Sequence, residues 1–399
     1  MHLSNYTHLG GIQPETAAVK NILTFHGVVS PHDGQPFSEA MLLGIGGGLG
    51  ACYILWEFEK HGEPSLVLAF RNLSNYPVRF LERLAARLGS RLEVFETAGR
   101  KKAASQLEKT LSAGDPAMLL FDLGGAPYYM HFLQVGTSVA YGLDEHHVTV
   151  DFLSEQPYHL PLDLAAEARG KVPSYKNRLL TLHPETEIDL EAAIVAGLGD
   201  CVDYLGTSST SFALPSLRKW ARMMTDPKNK KGWPTVFESQ HGLYGTLRAV
   251  YVGINHAGTG GGGMRGFYAE FLREAALLLG WSDLNDIAAG YQDLHGQWQA
   301  LAQAALPDTV PEFQETKAML DRRAELHRKQ GSAGLEALQS LNDDLHALKG
   351  ELNPNFPLSA AQTTALFASL QDQIQAIYAA EKRVLAELKD TLSRHADTE

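Results

Sequence analysis

Two glycine-rich stretches stand beside charged side chains and are the first places where this sequence gathers groups able to hold a ligand. The first, 44–50, has Gly44, Gly46, Gly47, Gly48 and Gly50, and follows Ser38-Glu39 and an apolar run over 40–43. The second reads GTGGGG over 258–263 and runs into Met264-Arg265. Glycine permits positive φ and lets backbone come close to a ligand or to another backbone. Amides of such a stretch, set at a helix start, hold an anion, and an arginine there grips phosphate or carboxylate with a planar fork. One reading therefore puts Gly46, Gly47, Gly48, Gly260 and Gly261 on a single cleft, with Arg265 as its charged anchor. The other makes the first stretch a tight buried turn and the second a close helix contact that only glycine fits. The spacing of the first stretch is neither a dinucleotide motif in its strand–turn–helix setting nor a P-loop, since no Gly-Lys-Ser/Thr follows.

Other reactive groups are sparse. The two cysteines, Cys52 and Cys201, sit in no metal-like spacing, so neither a disulfide framework nor a thiolate zinc site is expected. Both read as buried structural thiols. Glu270 and Glu274 lie one turn apart, with Asp293 and His295 further on, a set reminiscent of two-metal bundle sites. The Glu-x-x-His pair such sites use is absent, so a solvated helix face is the simpler reading and no metal is expected.

The elements that must position these groups follow from periodicity and turn residues. Apolar residues at helical spacing predict helices over 19–25, 78–88, 102–111, 162–168, 188–205, 214–224, 243–252 and 267–279. Compact apolar runs predict strands over 65–70, 91–95 and 117–121, and a hairpin over 135–141 and 147–152 turning at 142–145. His146-His147 falls at that turn as a solvated pair. Two prolines over 155–161 mark a domain boundary. From 309 on, the composition shifts to Ala, Leu, Gln, Glu and Lys, predicting long helices over 313–329, 333–349 and 359–392 broken at 353–357. The last carries Leu366, Leu370, Ile374, Ile377, Tyr378, Val384, Leu385 and Leu388. Such a stripe packs on the body of the protein or pairs with a second copy in a homodimer.

Several of these segments together resemble a known family. ETAAVKNIL, HG, FSEAMLLGIGGGLG, GDPAMLLFDLGGAPYY and YGLDEHHVTVDF, in that order, are similar to the N-terminal domain of the butirosin biosynthesis protein H family. VYVGINHAGTGGGGMRGFYAEFLREAA resembles the helical domain that follows it, and the likeness spans roughly 8–305. The resemblance implies a papain-like cysteine-peptidase fold used for acyl transfer; the family's named member moves an aminoacyl group from a carrier protein to an aminoglycoside amine. That chemistry needs a thiolate, a histidine base and a carboxylate to orient the histidine, and the family's thiol belongs to a His-Cys pair at the start of the first helix. Here Gln13-Pro14 occupies that place, and 136–138 has no histidine where the base belongs. Only Asp151 matches the orienting carboxylate. Thr16, two positions past the lost thiol, and His131 are the candidates to stand in catalytically. Thr16 also suits a helix first turn, and a loop-flank histidine such as His131 has many other uses. Glu15 and Tyr129 are candidate substrate contacts; Tyr128 and Tyr129 match the family's aromatic pair and line or pack its cleft. Glu39 would face an amine acceptor, while Arg265 would take the phosphate of a phosphopantetheine-borne acyl donor.

The expected protein is thus α+β: a papain-like domain over 1–155, a mostly helical domain over 156–305, and a helical tail over 306–399. It resembles carrier-dependent acyltransferases without the thiol, or else a pseudoenzyme acting as a binding or scaffold subunit. The expected partners are an acyl carrier protein or small acyl donor and an amine acceptor, with no cofactor beyond a phosphopantetheine-bound substrate. A net charge of −12 argues against nucleic acid, despite the basic segment at 218–231. No apolar run reaches membrane-span length, and no basic-then-apolar leader opens the chain, so a cytoplasmic protein is expected.

Overall fold

The computed structural model describes residues 1–56, 62–122, 135–171 and 173–396. Helices α1 (Pro14–Phe25) and α2 (Glu39–Ile45) come first, followed by strands β1 (Leu49–Trp56) and β2 (Ser65–Arg71), helix α3 (Pro77–Arg87) and strand β3 (Ser90–Phe95). Helix α4 (Arg100–Ser112) precedes β4 (Ala117–Asp122), β5 (Val135–Leu143), β6 (His147–Asp151) and β7 (Tyr158–Pro161). Helix α5 (Leu162–Gly170) precedes β8 (Leu179–Pro184). Helices then continue with α6 (Leu190–Gly206), α7 (Pro215–Thr225), α8 (Trp233–Val236), α9 (Leu243–Asn255) and α10 (Arg265–Leu279). The last four are α11 (Leu284–Ala305), α12 (Pro311–Gln330), α13 (Leu335–Leu352) and α14 (Ala360–Ala396). These elements group into two compact units, each drawn from three stretches of chain. The sheet unit comprises Met1–Leu42, Pro77–Leu190 and Arg322–Asn342; the helical unit comprises Leu43–Tyr76, Glu191–Asp321 and Asp343–Glu399.

The sheet unit is built on six strands in the order β3-β8-β4-β5-β6-β7, every neighbouring pair antiparallel. All six positions of β4 are buried, which requires cover on both faces and explains the unbroken apolar run AMLLF. Helix α1 packs on β5 and β8, and α5 on β4, β6 and β7. The β5–β6 hairpin closes where the turn residues predict, with Asp144 Oδ1 accepting from His146 N and His147 N at 2.7 Å each. The sheet does not stop at the boundary expected over 155–161. Strand β7 lies within that segment, and β8 inserts between β3 and β4 with Leu92 opposite Leu182 and Met118 opposite Leu180. Its burial on the sheet outweighs the local prolines.

In the helical unit, β1 and β2 form an antiparallel pair. Helix α14 packs against α7 and α11, so Leu370, Ile374, Ile377, Val384, Leu385 and Leu388 are buried inside the unit. The segment expected as a tail is therefore part of this unit's core. Trp220, Trp233 and Trp298 fill the same interior, with Trp233 Nε1 donating to Tyr53 Oη at 3.0 Å.

One buried group of the sheet unit sets a pH dependence. The Tyr158 hydroxyl lies 2.5 Å from His327 Nδ1, and the two rings stack with centroids 5.4 Å apart. Burial, with Arg323 adding to it, holds the His327 imidazole down to about 3. Unfolded, the ring takes its proton near pH 6.5, so its neutral form supports the fold above that pH. The support is lost as pH falls from there toward 3, by up to about 1.4 kcal/mol per pH unit. The unfolding free energy of His327→Gln, followed by denaturant titration, will fall less steeply than the parent's between about pH 6.5 and pH 4. Parallel profiles would rule this coupling out.

Candidate functional site

Helix α1 begins at the place where the resemblance puts a nucleophile, and its first turn is closed by the protein's own groups. Gln13 caps it: the side-chain oxygen accepts from Thr16 N at 2.7 Å. Pro14 follows at the first helical position, where a missing N–H costs nothing. The Glu39 carboxylate, from the start of α2, then fills the space in front of the helix. It accepts from Ile12 N at 3.1 Å, Gln13 N at 2.9 Å and the Thr16 hydroxyl at 3.1 Å, and pairs with Lys20 Nζ at 3.3 Å. A carboxylate is stabilised there by the helix dipole and the free amides. Glu15 is buried and accepts from Gln13 Nε2. The structure thus brings Glu15, Thr16 and Glu39 together as a capping network. The Thr16 hydroxyl is fully buried and already donates to this network.

Asp151, at the end of β6, is also an acceptor hub. It takes hydrogen bonds from Leu9 N and Gly10 N at 3.0 Å each, Asn21 Nδ2 at 3.0 Å and Tyr6 Oη at 3.2 Å. Burial pushes its carboxyl up, opposed by the nearby His8 and by the bonds from Leu9, Tyr6 and Gly10. The same burial, and then Asp151 itself, drives the Tyr6 hydroxyl well up. His8 Nε2 sits 3.6 Å from Asp151 Oδ1 and 2.8 Å from Ser154 O, and its side chain is 15% exposed. A histidine does lie beside Asp151, but it comes from the N-terminal segment rather than from β5. Sequence reading passed over Tyr6, His8 and Asn21; the one signal was an aromatic and an imidazole residue, two positions apart, in the opening NYTHLGG. On β5 the buried Thr137 and Ser138 hydroxyls, where the family's histidine belongs, make no hydrogen bond among the described residues.

In the helical unit the two glycine stretches do converge on Arg265, but in the core and not around a cleft. Arg265 and Glu381 are both 0% exposed and paired, with Arg265 Nε donating to Glu381 Oε1 at 2.7 Å. The fork continues to Gly263 O at 2.7 Å and Gly50 O at 3.3 Å, and its central carbon lies 5.3 Å from the ring centres of Phe70 and Trp298. The guanidinium expected to grip a substrate anion grips a buried glutamate instead. Gly46, Gly47 and Gly48 form a buried turn between α2 and β1, with Gly47 O accepting from Asn72 Nδ2 at 2.8 Å. At Gly48, φ is +69° and a Cβ would lie 2.7 Å from the Tyr268 ring, so glycine is required. Gly262 and Gly263 are buried in the same way, whereas Gly260 is exposed and Gly261 half-buried.

Both thiols lie in the helical unit, and the sheet unit contains no cysteine. Burial pushes Cys52 up to about 12 and Cys201 up to about 11. His295 packs against Gly262 and Gly266, and its Nδ1 has no hydrogen-bond partner among the described residues. Among those residues, no group of three or more His, Cys, Asp or Glu is placed to hold a metal ion. His131, Tyr128 and Tyr129 lie outside the described residues.

Residues 13–151 match the family described as butirosin biosynthesis protein H, N-terminal, and residues 161–330 match a domain of unknown function, DUF4872. The chain therefore carries the N-terminal domain of the butirosin biosynthesis protein H family, followed by that second domain. No curated protein shows significant similarity to it. Among the described residues, no helix is long and apolar enough to cross a membrane.

Two outcomes follow from this geometry. Arg265→Ala leaves Glu381 charged and unpaired in the core and will lower the unfolding free energy by roughly 3–5 kcal/mol. Arg265→Lys, which keeps the charge but not the fork, will lose less; an unchanged denaturation midpoint for the alanine variant would contradict the assignment. In a thiol titration at pH 8, the native protein will react at least about a hundredfold more slowly than the unfolded chain, since the thiolate fraction is so small. Prompt labelling of one thiol in the native state would show an accessible, activated cysteine.

Proposed function

We propose that the chain works in natural-product biosynthesis as a binding subunit of the butirosin H type. On this reading it holds an acyl carrier protein or small acyl donor, with its amine acceptor, and forms no acyl-thioester on itself. The match to that family's N-terminal domain supports the biosynthetic setting, and the antiparallel sheet with α1 packed on it supports a papain-like reading of the first domain. The observation that carries the proposal is the Glu39 carboxylate seated on the amides ahead of α1, where a thiolate or an oxyanion would have to sit. A carboxylate there repels a developing oxyanion, the opposite of what acyl transfer requires.

His8 beside Asp151 favours a second reading, in which the protein brings amine and thioester together and His8 removes the amine proton during direct attack. Steady-state assays separate the two. With an acyl-phosphopantetheine thioester on its carrier and an aminoglycoside amine, amide will form at the buffer rate. The loaded carrier will bind with a Kd in the micromolar range, about 10 μM or below. Turnover more than about tenfold above buffer overturns the binding reading, and its loss in His8→Ala establishes the second. Absence of both turnover and carrier binding overturns both.

A further inference from the structure

The sheet unit contains a cavity of about 460 Å³ between α4, α5 and strands β4 to β6, remote in sequence from the α1 network. Its walls carry a buried cation. Arg169, near the end of α5, is only 5% exposed. Its guanidinium donates to Asn177 O at 2.9 Å and to Ala103 O at 3.4 Å, both neutral carbonyls, and Nε–H has no acceptor among the described residues. Nor does any carboxylate among them form an ion pair with it, in contrast to Arg265, whose burial is matched by Glu381. A buried guanidinium costs several kcal/mol unless an anion or a full set of acceptors compensates.

The charges around the cavity are sorted along its length. Arg100 and Lys101 line it at the start of α4, close to Ala103 and hence to Arg169. Glu108 and Asp144 also line it, at the other end. Glu108 lies eight residues beyond Arg100, about 12 Å along the helix axis. Asp144 belongs to the turn that bonds to the start of α5 through Leu162 N and His146 O at 3.0 Å. Seven residues of helix, about 10 Å, separate that start from Arg169. Between the two ends the lining is apolar, from Leu107, Leu119, Val148 and Ala165. A cavity of this size, mostly apolar with a few converging polar groups, is the usual form of a small-molecule site.

We propose that this cavity binds a small organic anion, with its carboxylate or phosphate on Arg169, Arg100 and Lys101 and its apolar body along Leu107, Leu119 and Val148. Burial alone holds the Arg169 guanidinium down, to about 10, and an anion seated on it would oppose that shift.

Calorimetric titration of the full chain with hexanoate, monohexyl phosphate and 1-hexanol tests the proposal. At least one acid will bind with a Kd below about 1 mM, and the tighter of the two identifies the acid group. Hexanol will bind at least about tenfold more weakly than that acid. Arg169→Gln, shown to be folded by circular dichroism, will lose about tenfold or more in affinity for it. Should that variant not fold, Arg100→Ser with Lys101→Ser at the rim will weaken binding, and Ala166→Phe at the mouth will block it. No acid binding, hexanol binding as tightly as the acids, or full affinity in folded Arg169→Gln each overturns the assignment. Full affinity in both the rim and mouth variants does so equally.

Discussion

The interaction on which the helical unit depends is the buried pair of Arg265 and Glu381. It joins α10 to α14, and through the carbonyls of Gly263 and Gly50 it ties both glycine stretches to the same point. Two fully buried charges are costly unless hydrogen bonds and their mutual attraction offset the lost hydration. Here Trp298 Nε1 adds a bond to Glu381 Oε1 at 3.0 Å, and the rings of Phe70 and Trp298, packed edge to face, each lie 5.3 Å from the guanidinium carbon. That demand explains the glycines. Backbone carbonyls must reach the fork, and side chains at 48 or 263 would strike the Tyr268 or Phe70 rings. What looks like a ligand loop in one dimension is the packing around an internal ion pair.

In the sheet unit the organising groups are again carboxylates, but these satisfy backbone amides. Glu39 closes the front of α1, and Asp151 holds the segment that leads into it through Leu9 and Gly10 and the helix itself through Asn21. The two acids fix the helix start from both sides. In a thiol acyltransferase the same helix end would stabilise a thiolate by its dipole; with Gln13-Pro14 in place, the positive end is spent on Glu39. Gln13-Pro14 at the helix start and the carboxylate in front of it are thus parts of one arrangement.

Local pattern carried most of the elements. Helical spacing located α3, α4, α7, α9 and α10 to within a few residues, and Asp144 marked its hairpin turn. The misses share a cause: each depends on a partner distant in sequence. Strand β8 is a short apolar run whose place between β3 and β4 is set by pairing across ninety or so residues, which no local period records. Asp151 was singled out from the sequence, but its hydrogen-bond donors come from the first two dozen residues of the chain. Glu381 was the most readable of the misses. It falls on the stripe of Ile374, Ile377, Val384 and Leu388, and a lone acid on an apolar stripe calls for a buried cation. Arg265 was singled out for its charge and its glycines, and only the fold showed that its partner is internal.

The central claim is that the start of α1 is closed and carries no group able to take up an acyl chain. Intact-protein mass spectrometry after incubation with a large excess of an acyl-phosphopantetheine thioester tests it most directly. The account predicts an unchanged mass. An added acyl mass that peptide mapping assigns to Thr16, or to any other residue of α1, would contradict it.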